Sequence, residues 1–238
     1  MDMVEIHKLC FSFEDQMIFR DFNFSLASRQ WTALLGASGI GKSTLLRLIA
    51  GLEKDYQGKI MLAENTRLAW LAQQDSLFPW LSVLDNVQLQ AHLQGKTNPK
   101  TQRKAEDLLQ AVNMLAHKHK PCYQLSGGQR QRVALARTLM LEADLILMDE
   151  PFSALDAVTR LQLQQLARQL LKDKTVLLIT HDPQEALRLA DRILVLKNHP
   201  AQLSDPIIPK STAPRFSQDP QLWQLEQRLF RELLGDNP

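Results

Sequence analysis

Cysteine is nearly missing from this chain: its 238 residues include only Cys10 and Cys122. With no CxxC pair and no Cys/His cluster, the sequence argues against structural zinc, and two lone thiols suggest a reducing compartment. Net charge is nearly missing too. A formal +2 is too small to name nucleic acid or anionic lipid as the main partner. No segment reaches the roughly 18 uninterrupted apolar residues of a spanning helix, so the chain is not expected to cross a membrane by itself. The opening MDMVEIHKLCFSF places acids early and has no long apolar core, which is unlike a signal peptide. No internal repeat is visible. What is present is ordinary: 45% hydrophobic and 23% charged residues suit a soluble globular chain. The length allows one large domain or two modest ones with ample core.

Short apolar runs alternate with helical patterns. WTALL from Trp31, DLILM from Asp144, TVLLI from Thr175 and ILVL from Ile193 read as buried strands. Residues 42–50, 129–140 and 161–171 carry apolar residues at three- and four-residue spacing, as helices do. Such alternation predicts an α/β fold with a mostly parallel sheet covered on both faces. Val4 to Leu26 differs, with two extended aromatic runs and no helix, and predicts an antiparallel β subdomain. Residues from about 79 to 120 are polar, rich in Gln and Leu, and predict a helical subdomain inserted into the sheet domain. A proline-rich linker runs from His199 to Pro220. It leads to an amphipathic helix with Leu222, Leu225, Leu229 and Leu233 on one face, Pro220 at its start and Gly235 just past its end. That helix is expected to pack on the body of the domain.

The first motif with chemistry is GASGIGKST, comprising Gly36, Ala37, Ser38, Gly39, Ile40, Gly41, Lys42, Ser43 and Thr44. It fits G-x-x-x-x-G-K-[ST], with a strand before it and a leucine-rich helix after it. The glycines let the backbone curl around phosphate while N–H groups at the helix start point at the anion. Lys42 would meet the β- and γ-phosphates, and the Ser43 hydroxyl would ligate Mg²⁺. The bland alternative is a glycine-rich strand-to-helix turn. LILMDEP supplies a partner element: Asp149, at a strand end, would hold Mg²⁺, and Glu150 suits a general base that positions an attacking water. The alternative there is a solvated Asp-Glu pair.

A second candidate phosphate loop is LSGGQ, with Ser126, Gly127, Gly128 and Gln129. Its bland reading is an N-capped helix start, Ser126 being the cap and the glycines making the turn. One triphosphate is not easily wrapped by two loops of the same subunit. The geometry becomes simple if the second loop serves a nucleotide held by another copy.

GASGIGKST, LSGGQ, LILMDEP, SALD (Ser153 to Asp156) and the histidine of LLITHD follow one another in an order that resembles the ATP-binding subunits of ABC transporters. The resemblance covers nearly all of residues 1–200. It implies a P-loop NTPase core over that range with a helical subdomain at about 79–140, residues 201–238 being linker and terminal helix. It further implies a head-to-tail homodimer that sandwiches two ATP molecules, each between one subunit's phosphate loop and the other's LSGGQ. His181 corresponds to the histidine that contacts the γ-phosphate, and Asp156 to a residue that contacts the opposing subunit. Gln73, with Gln74 beside it, corresponds to the glutamine that senses Mg²⁺ and the membrane partner. Phe13 corresponds to the aromatic that stacks on adenine, usually a tyrosine, and phenylalanine keeps the π-face. A core role for Phe13 or its neighbour Phe11 is the alternative.

QQDSLFPWLSVLDNVQL resembles importers of nitrate, sulfonates, taurine and thiamine-precursor pyrimidines. Between Gly58 and Gln73 the chain is shorter than usual for that family, as though a hairpin were trimmed. The resemblance implies a cytoplasmic ATPase, peripheral on the inner membrane, working with separate membrane permease subunits and, indirectly, a substrate-binding protein. No nucleic acid partner is expected. The rival class is a soluble ABC-type ATPase of DNA repair or translation, but those show long coiled coils, zinc modules or fused cassettes, and none is visible. Arg130, Arg132 and Arg137 are expected to line the dimer cleft or be solvated, and His117 to Lys120 to form a solvated loop.

Overall fold

The computed structural model describes residues 2–14, 16–215 and 220–234. Strands β1 (Asp2–Phe13) and β2 (Gln16–Ala27) form an antiparallel ribbon. Next come β3 (Trp31–Leu35), α1 (Lys42–Ile49), β4 (Gln57–Leu62) and β5 (Leu68–Leu71). β4 joins the ribbon to complete a three-stranded sheet ordered β2-β1-β4. The helical segment holds α2 (Val83–Val87), α3 (Leu89–Leu93), α4 (Pro99–Ala111) and α5 (Gly127–Met140). Then follow β6 (Leu145–Asp149), α6 (Ala157–Leu170), β7 (Thr175–Ile179), α7 (Pro183–Leu189), β8 (Arg192–Lys197), β9 (Gln202–Leu203) and α8 (Pro220–Leu234). A second sheet runs β5-β6-β7-β3-β8-β9, parallel throughout except for the antiparallel β8–β9 pair. The expected α/β architecture is thus observed.

Strand alternation explains why the central sheet needs cover on both faces. Leu145 and Leu147 of β6, with Leu177 and Ile179 of β7, pack toward α1 and the antiparallel sheet. Ile146, Met148, Val176 and Leu178 point the other way, toward α5, α6 and the helical segment. That segment is built on caps: Asn98 accepts from Lys100 and Thr101 N–H at the start of α4, with Pro99 in the first turn. The buried Asn86 of α2 accepts from Phe78 N–H at 2.8 Å and donates to Phe78 C=O at 3.0 Å, which pins the preceding loop. Residues 117–120 form the expected loop, with His119 and Lys120 exposed, but it is tied to its neighbours. Lys118 and Lys120 carbonyls accept from Leu84 and Val83 N–H, and the Lys118 ammonium pairs with Glu106 at 2.9 Å.

The last helix packs as its leucine spacing predicts. Leu222 and Leu229 are buried, and Leu225 and Leu233 join them against Ala33, Leu35, Ile193 and Val195. Before it, Ile207 exchanges backbone hydrogen bonds with Ile193, so the proline-rich stretch returns to the sheet. Gly235, expected just past the helix, lies outside the described residues.

Candidate active site

The carboxyl ends of β3, β6 and β7 lie side by side, and each delivers part of the site. In an open parallel sheet this edge is where ligands bind. β3 runs into the phosphate loop, β6 ends at Asp149 and Glu150, and β7 runs to His181. Two glycines of the loop are required by contact. Gly36 has φ +152°, and a Cβ there would sit 2.6 Å from the Leu196 carbonyl oxygen; at Gly41, φ +110°, it would sit 2.6 Å from Ile18 Cγ2. Ile40 is buried and anchors the loop, while Ala37, Ser38 and Gly39 form its exposed lip. Helix α1 begins at Gly41 with no side-chain cap and no acid in its first turn. Its first N–H groups are therefore not spent on a side chain of their own helix, as an anion site requires.

Lys42 is buried and donates from Nζ to the Gly36 and Ala37 carbonyls at 2.7 and 2.8 Å. Burial pulls its ammonium below the ordinary lysine range, partly offset by Glu150 and Asp149. Ser43 Oγ donates to Asp149 Oδ1 at 3.1 Å. Burial pushes the Asp149 carboxyl above its ordinary value, the Ser43 bond and Lys42 opposing the shift and Glu150 adding to it. Glu150 adopts φ +46°, unusual for a residue with a side chain. Its N–H donates to the Ile179 carbonyl at 3.0 Å, which holds it in place. His181 Nδ1 stands 3.0 Å from Glu150 Oε2, its ring mostly exposed.

Gln73 follows β5 and donates from Nε2 to Ser153 Oγ at 3.3 Å, while its own carbonyl accepts from Gln131 at 3.0 Å. Of the arginines after LSGGQ, Arg132 lines the groove beside that motif, as expected, whereas Arg130 and Arg137 are turned to the loop after Gln73. Arg130 pairs with Asp75 at 2.8 Å, Arg137 donates to the Asp75 and Ser76 carbonyls, and Arg132 reaches Val112 and Gln162. Arginine's fork can hold two backbone acceptors at once, so Arg130 and Arg137 lace α5 to the loop after Gln73. Gln131 and Asp75 were not singled out in the sequence; the one available signal is their closeness to the two motifs. Phe13 ends β1 with 63% of its surface exposed, whereas Phe11 is a core residue at 6%. Of the two rings, only Phe13 is open to a flat ligand.

LSGGQ departs from the expected turn. Gly127 and Gly128 are already the first residues of α5, and neither has positive φ. Ser126 Oγ accepts from Gln129 N–H and Gln129 Oε1 accepts from Ser126 N–H, a reciprocal capping box. Glycine at 128 serves packing, since a Cβ would lie 2.5 Å from Thr159 Cγ2; at 127 it would meet only Arg130 Nη2 at 3.9 Å. An open groove of about 380 Å³ joins Ser126–Gln129 to Asp156 and Thr159. Its walls hold no residue of the phosphate loop. Asp156 caps α6 by accepting from Thr159 N–H at 3.0 Å.

Among the described residues no cluster of three or more His, Cys, Asp or Glu could hold a metal alone. Ser43 and Asp149 are nevertheless hard oxygen donors side by side, the pairing that suits Mg²⁺ shared with phosphates. Also among the described residues, no helix is long and apolar enough to cross a membrane.

Comparison with known proteins agrees with this geometry. The family model described as ABC transporter matches residues 19–153, more than half of the chain. An uncharacterized ABC transporter ATP-binding protein of Haemophilus influenzae is 57% identical over 98% of this chain and 100% of its own length. The aliphatic sulfonates import ATP-binding protein SsuB 1 of Rhodococcus jostii is 41% identical, covering 94% of this chain and 91% of that one. The taurine import ATP-binding protein TauB of Pseudomonas aeruginosa is 37% identical over 98% and 97%. Among solved structures, cbiO1 of Clostridium perfringens, part of the ABC transporter complex cbiONQ, superposes with a TM-score of 0.77 at 25% identity, covering 97% of both chains. Nothing in these matches favours the repair or translation class. The chain therefore belongs to the ABC transporter family, as an ATP-binding, ATP-hydrolysing subunit on the importer branch that the sulfonate and taurine relatives represent.

Proposed function

We propose that this chain powers import of a small organic anion, a sulfonate or taurine-like molecule, through separate membrane permease subunits. It would work as a head-to-tail homodimer on the cytoplasmic face of the inner membrane, with a substrate-binding protein completing the system. The observation that carries the dimer is the separation of the two loops: LSGGQ shares its groove with Asp156 and not with Lys42. The sulfonate and taurine relatives support the cargo class. Inorganic anions and thiamine-precursor pyrimidines are the remaining members of the class that the sequence around Gln73 resembles.

In this reading Lys42 exchanges its two carbonyl partners for the more strongly accepting phosphate oxygens. Gly36 to Thr44 supply backbone donors, and Phe13 supplies a face for the adenine. Ser43, Asp149 and Gln73 would hold Mg²⁺, which when bound neutralises charge on the transferring phosphoryl group. Glu150 takes the proton of the attacking water, and His181, beside that carboxylate, contacts the γ-phosphate and keeps the carboxylate in place. Ser126, Gly127, Gly128 and Gln129 face the partner subunit's nucleotide, with Asp156 beside them. The surface from Gln73 to Trp80 receives a cytoplasmic helix of the permease.

Glu150→Gln tests the chemistry, because glutamine keeps the shape but cannot take a proton. The variant should bind ATP, elute as a dimer in its presence and hydrolyse it very slowly; wild-type turnover would remove Glu150 as the base. The cargo is tested separately by growth of a deletion strain on an aliphatic sulfonate or taurine as sole sulfur source. Undiminished growth would overturn that cargo and leave the ATPase reading intact.

A further inference from the structure

Helix α6 presents Arg160, Gln164 and Arg168 at four-residue spacing, which places them on one stripe of its surface. All three meet the segment that follows His181. Arg160 Nη1 lies 3.9 Å from Asp182 Oδ2, Gln164 Nε2 donates to Glu185 Oε2 at 3.1 Å, and Arg168 Nη2 donates to Asp191 Oδ1 at 2.7 Å. The middle contact is the buried one, with Gln164 at 2% exposure and Glu185 at 5%. Glu185 also lines a small cavity of about 30 Å³ together with Glu150, Ser153, Arg160, Thr180, His181 and Asp182. A buried carboxyl thus touches both the helix that starts at Asp156 and the chamber beside the catalytic pair.

The chemistry of this carboxyl is unusual for its setting. Gln164 Oε1 and Glu185 Oε1 are buried acceptors without a hydrogen-bond donor. A proton on the carboxyl turns one of these acceptors into a donor. Burial, with Asp182 nearby, pushes the Glu185 carboxyl up to about 8, the Thr180 and Gln164 bonds and Arg160 opposing. The charged and titratable groups around it are Asp182 and His181 before α7, Arg160 on α6 and Glu150 at the end of β6. At neutral pH the group is a neutral acid that can donate and accept, as a glutamine can.

We propose that Glu185 is a positioning residue for ATP hydrolysis. It ties the His181 loop to α6, so that His181 keeps its register with Glu150 and moves with the Asp156 end of that helix. This rests on the catalytic roles of Glu150 and His181 given above.

The test uses the full chain carrying Glu185→Gln, Glu185→Leu or Gln164→Leu, with kcat and KM for ATP measured from pH 6.5 to 9, alongside thermal unfolding. Glu185→Leu should leave KM and the unfolding midpoint near wild type and lower kcat by roughly tenfold or more, the penalty of a misplaced catalytic group. Wild-type kcat should fall as pH passes about 8; Glu185→Gln should restore kcat to within about twofold and abolish that fall. Gln164→Leu removes the same bond from the other side; it should repeat the kcat loss, and it keeps the test open if Glu185→Leu fails to fold. Wild-type kcat in both leucine variants overturns the proposal. So does a kcat that merely tracks the folded fraction, or a Glu185→Gln variant as impaired as Glu185→Leu. The underlying reading fails differently: Glu150→Gln then keeps its turnover, whatever the Glu185 variants do.

Discussion

Two adjacent glycines of LSGGQ should answer the same substitution with opposite effects on stability. At Gly127 the φ is ordinary and an added Cβ meets only Arg130 Nη2 at 3.9 Å. Aspartate there replaces a flexible residue in the first turn of α5, where a negative charge favours the helix by about 0.3–1 kcal/mol. The lost backbone freedom of glycine adds a few tenths, so Gly127→Asp should gain about 0.5–1 kcal/mol. For a chain of this size that raises the unfolding midpoint by about 1–4 °C. At Gly128 the same change drives a Cβ to 2.5 Å from Thr159 Cγ2. Threonine is stiff at χ1, so α5 and α6 must shift, at about 1–3 kcal/mol. In the proposed dimer both substitutions place a carboxylate where the partner's phosphate approaches, so both should lose the ATP sandwich, Gly127→Asp without losing its fold. Mixing then tests the trans arrangement. In a heterodimer of Lys42→Ala with Gly127→Asp, both lesions fall in one site if the loops meet across the interface. The other site is intact and should trap one ATP per dimer, where neither homodimer traps any. Verified heterodimers that trap no ATP would refute the trans assignment. A fall in the Gly127→Asp midpoint would refute the stability argument.

Two further outcomes follow from charge. Lys42→Ala removes a charge-assisted donor, and such bonds contribute about 1.5–3 kcal/mol, so Mg²⁺–ATP affinity should fall roughly 10- to 150-fold by calorimetry; equal affinities would count against the site. Glu185 in the folded chain keeps its proton up to about pH 8, against an ordinary value of 4.5. The folded state is favoured fully below the ordinary value, and that advantage is lost as pH rises toward 8; between pH 5 and 7 the loss is on the order of 2 kcal/mol. Glu185→Gln should therefore show a flatter pH dependence of urea unfolding than wild type, and identical slopes would show that the carboxyl does not titrate as described.

The sheet and its site were legible because their signals are local. WTALL, LILMD and TVLLI are short, predominantly apolar and followed at once by polar motifs, so strand, loop and chemistry could be read from a few residues each. The leucine spacing of α8 likewise named its buried face. What the sequence hid depends on distance. Arg130, Arg132 and Arg137 look like a basic surface in the linear order, yet their partners sit on a loop some sixty residues earlier, at Asp75 and Ser76, or across a helix pair. Glu185 was hidden by a misleading local signal. Asp182 followed three residues later by Glu185 reads as a capping box, in which the glutamate would curl back at the surface. The structure keeps only half of that box: Asp182 accepts from Gln184 and Glu185 N–H, while the glutamate side chain turns inward to Gln164. Inward-facing polar residues carry no periodic mark when their partner lies on another element.

The two parts of the site are held by different forces, and the difference bears on what a transporter subunit must do. The two ends of the phosphate loop are fixed by contact: the Leu196 carbonyl against Gly36 and Ile18 against Gly41 leave no room for a side chain. Close-packed contacts of this kind are not continuously deformable. The Gln73 loop is held instead by hydrogen bonds and one ion pair from α5, through Gln131, Arg130 and Arg137. From Gln73 the bonds continue to Ser153 Oγ, and from there to the Glu150 carbonyl at 3.0 Å. The neutral bonds contribute only about 1 kcal/mol net and the arginine bonds about 1.5–3 kcal/mol, and each can be exchanged for another partner, water included. The Gln73 loop can therefore change its partners by trading a handful of polar bonds, while the phosphate loop keeps its contacts and α5 stays packed on the sheet through Val133, Ala134, Leu135 and Ala136. In the proposed reading a nucleotide on the phosphate loop then sits beside a loop whose bonds run through Ser153 to the backbone carbonyl of Glu150, the route that coupling hydrolysis to movement in a membrane partner requires.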